Sequence, residues 1–144
     1  MSESDDATAD HPPDEQPALR AQPMPADANV NGDIFGGWVL SQMDLAGAVP
    51  ATVRARGRIA TVAVEAMRFH KPVFVGDLVS CYARVIREGT TSLTVVIETW
   101  ARRRLSSEEV KVTEGTFIYV AIDEQGRPRP LPPARPDRFP NSLQ

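Results

Sequence analysis

Cysteine is almost missing from this 144-residue chain: there is one, Cys81, and the two histidines are His11 and His70. A single cysteine closes no internal disulfide. With His11 in a polar terminal stretch, the set is also too small for a usual structural zinc site. Cys81 falls in a strand-like run, where a buried thiol acts as a small hydrophobe rather than a nucleophile. The chain also lacks an uninterrupted apolar run of about eighteen residues, and it lacks a basic stretch leading into an apolar one at its start. The expectation is a cytoplasmic protein with no helical membrane span and no secretory signal.

Basic residues are absent from the first 17 positions, which hold six acids: Glu3, Asp5, Asp6, Asp10, Asp14 and Glu15. The overall charge of -3 therefore hides a net charge of +3 over the rest. That excess is too small and too scattered to indicate a nucleic-acid partner. It suits a small phosphorylated ligand, and equally a solvated arginine-bearing surface.

Met1 to Pro17 is acidic, Pro-containing and poor in hydrophobic residues, the composition of a disordered tail. From residue 128 onward six prolines exclude regular helix or central strand, and an extended tail able to lie on the body is expected over 128–144. The domain is thus residues 18–127. Ala18 to Met24 reads as a short strand that Pro23 and Pro25 push to a sheet edge. Asn31-Gly32-Asp33 reads as a turn with an N-cap candidate, and the helix should run from about Gly36 to Arg56, stopped by Gly57 and kinked or cut short at Pro50. Four strand-like runs rich in Val, Ile, Thr and aromatics follow: Arg58 to Phe69, Leu78 to Arg87, Ser92 to Arg103 and Val110 to Ile122.

The helical stretch is unusual in its polarity. Between Ile34 and Ala51 the only polar side chains are Ser41, Gln42 and Asp44, and a helix so apolar on all sides has to be covered on all sides. One sheet face cannot do that. The order of elements therefore predicts an α+β domain in which a curved antiparallel sheet wraps one central helix, with a second copy of the chain over the remaining side. An open sheet with the helix packed flat on one face is the alternative. Asp44 inside such a helix must be paired, hydrogen-bonded, or present for chemistry.

The segments N-G-D-I-F-G-G-W, S-Q-M-D and V-A-V-E-A-M-R-F-H-K-P-V-F-V-G-D resemble the hotdog-fold acyl-CoA thioesterases, most closely the small bacterial YciA type related to brain acyl-CoA hydrolases. The resemblance spans about Leu19 to Pro132. It implies a hotdog fold, hydrolysis of acyl-CoA with neither metal nor cofactor, assembly as a homodimer or a trimer of dimers, and a catalytic aspartate at Asp44. Asp33 stands where brain-type relatives carry an asparagine that takes part in the site, and Gly89 to Ser92 stands where relatives have a G-R-S-S loop touching coenzyme A, with Thr90 replacing the arginine.

Thioester hydrolysis needs a group that activates water or attacks directly, and donors for the developing oxyanion. Asp44 is the candidate base or nucleophile. The free N–H groups of the helix start are the donors, with Gly36 and Gly37 leaving room for a substrate and Gly37 the main donor. For Asp33, an N-cap role and a catalytic role both remain open, and two ionised carboxylates in one pocket would have to stand apart or share a proton. Arg56, Arg58 and Lys71 are candidates for the coenzyme phosphates, with Thr90, Thr91 and Ser92 as hydroxyl contacts. A non-catalytic acyl-CoA-binding module is the second hypothesis. A hotdog dehydratase or hydratase is the third, disfavoured because His70 is the domain's one histidine.

Overall fold

The computed structural model describes residues 10–135. Residues 1–9 and 136–144, parts of the two expected tails, lie outside the described residues. Five strands and one long helix make up the domain: β1 (Leu19–Ala21), α1 (Gly36–Ala55), β2 (Ile59–Phe69), β3 (Leu78–Glu88), β4 (Ser92–Arg102) and β5 (Glu109–Ala121), with a single 3-10 turn at Pro25–Asp27. The strands form one antiparallel sheet in the order β1-β3-β4-β5-β2. β1 is shorter than Ala18 to Met24 because Pro23 and Pro25 end it.

α1 packs its Val39, Met43, Ala46, Gly47, Ala51 and Ala55 against the sheet. Four of these six are small, so the sheet comes close. At Gly47 a Cβ would sit 2.3 Å from the Tyr119 hydroxyl and 2.7 Å from Ile97 Cδ1, so the approach there requires glycine. The sheet's inner face contributes Val79, Cys81, Leu93, Val95, Ile97, Phe117 and Tyr119 to the same core.

Three local expectations change. The helix does not stop at Pro50 but continues through it to Ala55; a proline φ fits a helix, and only one ladder hydrogen bond is lost. The left-handed residue at its end is Arg56 (φ 52°), whose N–H donates to the Thr52 carbonyl, rather than Gly57. The N-cap is Phe35, with no side-chain cap, so Asp33 is not the N-cap. Asp33 lies two residues earlier, in an isolated bridge with Phe74.

Both ends of the chain lie on the body where they are described. Pro13 and Glu15 line a small pocket with Tyr82, Arg84 and Val96 on the outer sheet face. At the other end Arg129 donates to the Ala55 carbonyl at 3.0 Å and Arg54 to the Pro132 carbonyl at 2.8 Å, so the segment after β5 straps the helix exit.

Among the described residues nothing covers one flank of the helix or the free edge of β2. Leu45, Val49 and Val53, at i, i+4 and i+8 on the helix, are 58%, 50% and 72% exposed. β2 pairs only with β5, leaving an eleven-residue edge that carries exposed Val62 and Val64. A long, apolar, unpaired edge is a template for another strand.

Candidate active site

The helix start is built by short-range bonds. The Asn29 side-chain oxygen accepts from the N–H of Asn31 at 2.8 Å and of Asp33 at 3.2 Å, ordering the turn. Ile34 N–H donates to the Val73 carbonyl, Phe35 N–H to Asp27, and Trp38 N–H back to Phe35. Gly36 and Gly37 fall between, and their N–H groups have no partner among the described residues. A Cβ at Gly37 would meet nothing within 4 Å, whereas one at Gly36 would touch the Phe69 ring at 3.5 Å. The chain's own packing therefore makes no demand for glycine at position 37.

A cavity of about 360 Å³ opens at this helix start. Its walls include Asp33, Gly36, Val39, Phe69, His70 and Lys71. The loop that brings His70 and Lys71 there is pinned by Asp77, 2% exposed, which accepts from Phe74 N–H at 2.9 Å and pairs with Arg103 at 2.6 Å. Arg103 also donates to the Pro72 carbonyl and stacks over Phe74. The Asp of V-G-D thus holds the loop and is itself occupied.

Asp44 lies seven residues beyond Gly37, about 10 Å further along the axis at 1.5 Å per residue. It is half-buried on the flank of α1 toward β2. Thr61 Oγ1 donates to its Oδ1 at 2.7 Å, and Tyr119 OH donates to its backbone carbonyl at 2.8 Å. Thr61 and the Tyr119 hydroxyl are thus the two neighbours that hold Asp44 in place. Burial first, then the nearby Asp44 charge and a hydrogen bond to its side chain, raise the Tyr119 pKa far above the ordinary 10.0, so its phenol stays a neutral donor. Burial also pushes the Cys81 thiol up to about 11, against a smaller lowering by its bond to Thr99, which keeps it inert.

The expected binding residues divide between two ends of a helix about 30 Å long. Lys71 rims the cavity beside Gly36. Arg56 lines a separate cavity of about 410 Å³ with Val53 and Pro133 at the helix exit. Arg58 donates to the carbonyls of Asp123 and Glu124 at 3.2 and 3.0 Å. The turn holding Thr90, Thr91 and Ser92 is fastened through its carbonyls to Leu131, Ala121 and Gly89. One chain therefore does not bring Lys71 together with Arg56, Arg58 and Thr90 to Ser92. Likewise, Asp33 and Gly36 share a cavity that Asp44 does not line.

Thr61, Phe69 and Asn29 escaped the sequence reading as site residues. Asn29 carried a readable signal, an Asx residue ahead of a turn. Thr61 had none, because its meeting with Asp44 is a tertiary contact across 17 positions that no local pattern announces. Among the described residues no three His, Cys, Asp or Glu side chains are grouped to hold a metal ion, and no helix is long and apolar enough to cross a membrane.

Residues 31–107 match the thioesterase superfamily. The chain is 52% identical over 128 residues to the acyl-CoA thioester hydrolase YciA of Salmonella typhimurium (strain LT2), covering 87% of this chain and 96% of that protein. Among solved structures it resembles the hexameric thioesterase y2039 of Yersinia pestis, with TM-score 0.79 and 52% identity over 83% of this chain and 98% of that one. It also resembles the hexameric hotdog-fold thioesterase Cj0915 of Campylobacter jejuni, with TM-score 0.78 and 39% identity over 82% and 91%. With its single long helix on a five-stranded antiparallel sheet, this chain belongs to the thioesterase superfamily and has the hotdog fold.

Proposed function

We propose that the protein hydrolyses acyl-CoA to a free fatty acid and coenzyme A at a site shared by two subunits. The observation that carries this reading is the helix start: two adjacent unpartnered N–H groups beside a cavity, with open space at Gly37. Such a pair suits the oxyanion that forms on a thioester carbonyl. Gly37 N–H is the main donor and Gly36 N–H assists. Asp33, on the wall of the same cavity, is the third group from this subunit.

Asp44 supplies the other half. With Oδ1 held by Thr61, Oδ2 is available to take a proton from water as that water adds to the carbonyl carbon. Alternatively, Oδ2 adds to the carbon itself, giving a mixed anhydride that water then opens. In both routes the C–S bond breaks and the sulfur leaves with a proton as the coenzyme A thiol.

An aspartate side chain cannot reach across about 10 Å to a carbonyl held by Gly37 of its own helix. A two-fold axis removes the difficulty. It pairs the open β2 edge with its copy in antiparallel fashion and covers Leu45, Val49 and Val53, which sets Asp44 of one subunit against Gly37 of the other. Antiparallel pairing also carries the β2 start, with Arg56, Arg58 and the Thr90 to Ser92 turn, toward the Lys71 end of the other subunit. The basic and hydroxyl groups divided within one chain could then serve one coenzyme. The hexameric state of the Yersinia and Campylobacter relatives supports a trimer of such dimers.

The test is thiol release from a panel of acyl-CoAs by wild type and by Asp44→Ala. Hydrolysis by wild type, lost in the variant while coenzyme A still binds, supports the reading. Binding without turnover by wild type would leave the protein as a non-catalytic acyl-CoA module.

A further inference from the structure

We infer that Phe69 is the specificity-determining residue of this site, and that the cavity it walls receives the acyl chain and limits its length. The inference rests on the thioesterase reading above and deepens it.

The cavity has two kinds of wall. Its floor is Ile34, Val39, Val73 and Val112, each at most 6% exposed and each aliphatic. Its polar residues are Asn29, Asp33, His70 and Lys71. A pantetheine arm carries two amides whose donors and acceptors would go unanswered on the aliphatic floor, whereas an alkyl chain loses nothing there. A thioester carbonyl held at Gly36 and Gly37 stands at the mouth of this space, so the arm directed onto the floor is the acyl arm, and the coenzyme leaves outward past the rim where Lys71 stands.

Phe69 is placed to decide how much of that arm fits. It is the last residue of β2, and its backbone is fixed by pairing with Thr113 while the next N–H, of His70, donates to the Val112 carbonyl at 2.7 Å. The ring edge lies 3.5 to 4.0 Å from the Cβ position on Gly36, directly beside the proposed oxyanion donors. Yet the residue is 51% exposed, so the core does not demand an aromatic there. A large apolar side chain that its own chain leaves half uncovered, at the mouth of a cavity and against a glycine, faces either the second subunit or what enters the cavity, and the series below separates the two.

The test is a graded series at this one position: Phe69→Trp, Phe69→Leu and Phe69→Ala, each assayed for kcat/KM on acetyl-, butyryl-, octanoyl- and dodecanoyl-CoA. The readout is the ratio of long-chain to short-chain kcat/KM, which a general loss of activity does not move. The ratio should rise from Trp through Phe to Leu and Ala, by about tenfold or more across the series, since each methylene accepted or refused by an apolar pocket is worth roughly tenfold or more. A ratio unchanged in all the variants that fold, with KM shifted equally for every acyl length, would assign the cavity to the pantetheine arm and overturn the inference. Phe69→Leu keeps the test alive should Phe69→Ala fail to fold. The thioesterase reading fails separately, if wild type hydrolyses none of the four substrates.

Discussion

Thr61 Oγ1 donates a 2.7 Å hydrogen bond to Asp44 Oδ1, joining the middle of α1 to the third residue of the open edge strand β2. A carboxylate with one oxygen fixed in this way is oriented for use. Thr61→Val keeps the shape and removes the donor. A hydrogen bond to a charged group is worth about 1.5–3 kcal/mol, so kcat should fall by roughly 10- to 100-fold with KM little changed. Thr61→Ser should restore most of the rate. Steady-state kinetics on one good substrate decide it, and a Thr61→Val enzyme as fast as wild type would show the bond to be incidental.

Two glycines of α1 should respond in opposite ways to the same substitution. Gly37→Ala adds a methyl to open space, so the fold should be as stable or slightly more so, yet kcat/KM should fall at least about tenfold because the methyl stands where the thioester must come. Gly47→Ala collides with the Tyr119 hydroxyl and Ile97, and should cost about 1–3 kcal/mol of stability. Urea titration and activity, measured on both, separate the two effects.

The fold was legible because its signals are local. A 20-residue helix without charged residues except Asp44 and Arg54, followed by four runs of β-branched residues, leaves few arrangements, and the bounds of α1 and of β2 to β5 fall within one residue of those expected, whereas β1 ends three residues early. Capping was misplaced because Asp33 has the right chemistry for an N-cap but is held in a bridge to Phe74, a partner 41 positions away that no local pattern announces. The binding set was harder for the same reason. Arg56, Arg58 and Lys71 look close in sequence, yet β2 carries Lys71 to the far end of the sheet from the other two.

Lys71→Ala should raise KM for acyl-CoA several-fold while leaving a short thioester without the nucleotide unaffected, and the difference should shrink in high salt. Arg58→Ala should act more on stability than Lys71→Ala does, because its guanidinium closes the Asp123–Glu124 turn. Equal changes in KM on both substrates would place the damage at the reacting centre instead.

Stability should decline at alkaline pH. In the folded chain burial raises Cys81 from 9.0 to about 11 and lifts Tyr119 above its ordinary 10.0, so from about pH 9 upward the unfolded chain sheds protons that the folded one retains. The contribution is fully present below pH 9 and is lost as pH rises. Urea midpoints should fall between pH 8 and pH 10.5, and less steeply in Cys81→Ala or Tyr119→Phe, each compared with its own value at pH 8. Parallel slopes in all three proteins would contradict the assignment.

His70 lines the cavity with Asp33, which makes it the one group on which a hydratase reading could rest. His70→Gln should leave thioester hydrolysis within a few-fold of wild type and its pH profile unchanged. A loss comparable to that of Asp44→Ala would move the acid-base chemistry to His70.

The shared site is tested most directly by complementation. Asp44→Ala subunits are co-expressed with Gly37→Pro subunits, in which proline removes the Gly37 donor at a position in the helix's first turn. Each variant alone should be folded and inactive. Random mixing makes about half of the dimers mixed, each with one intact composite site, so about a quarter of wild-type activity should return. No recovery, once mixed dimers are demonstrated and both variants are shown to be folded, would contradict a site in which Asp44 of one subunit serves the carbonyl held by Gly37 of the other.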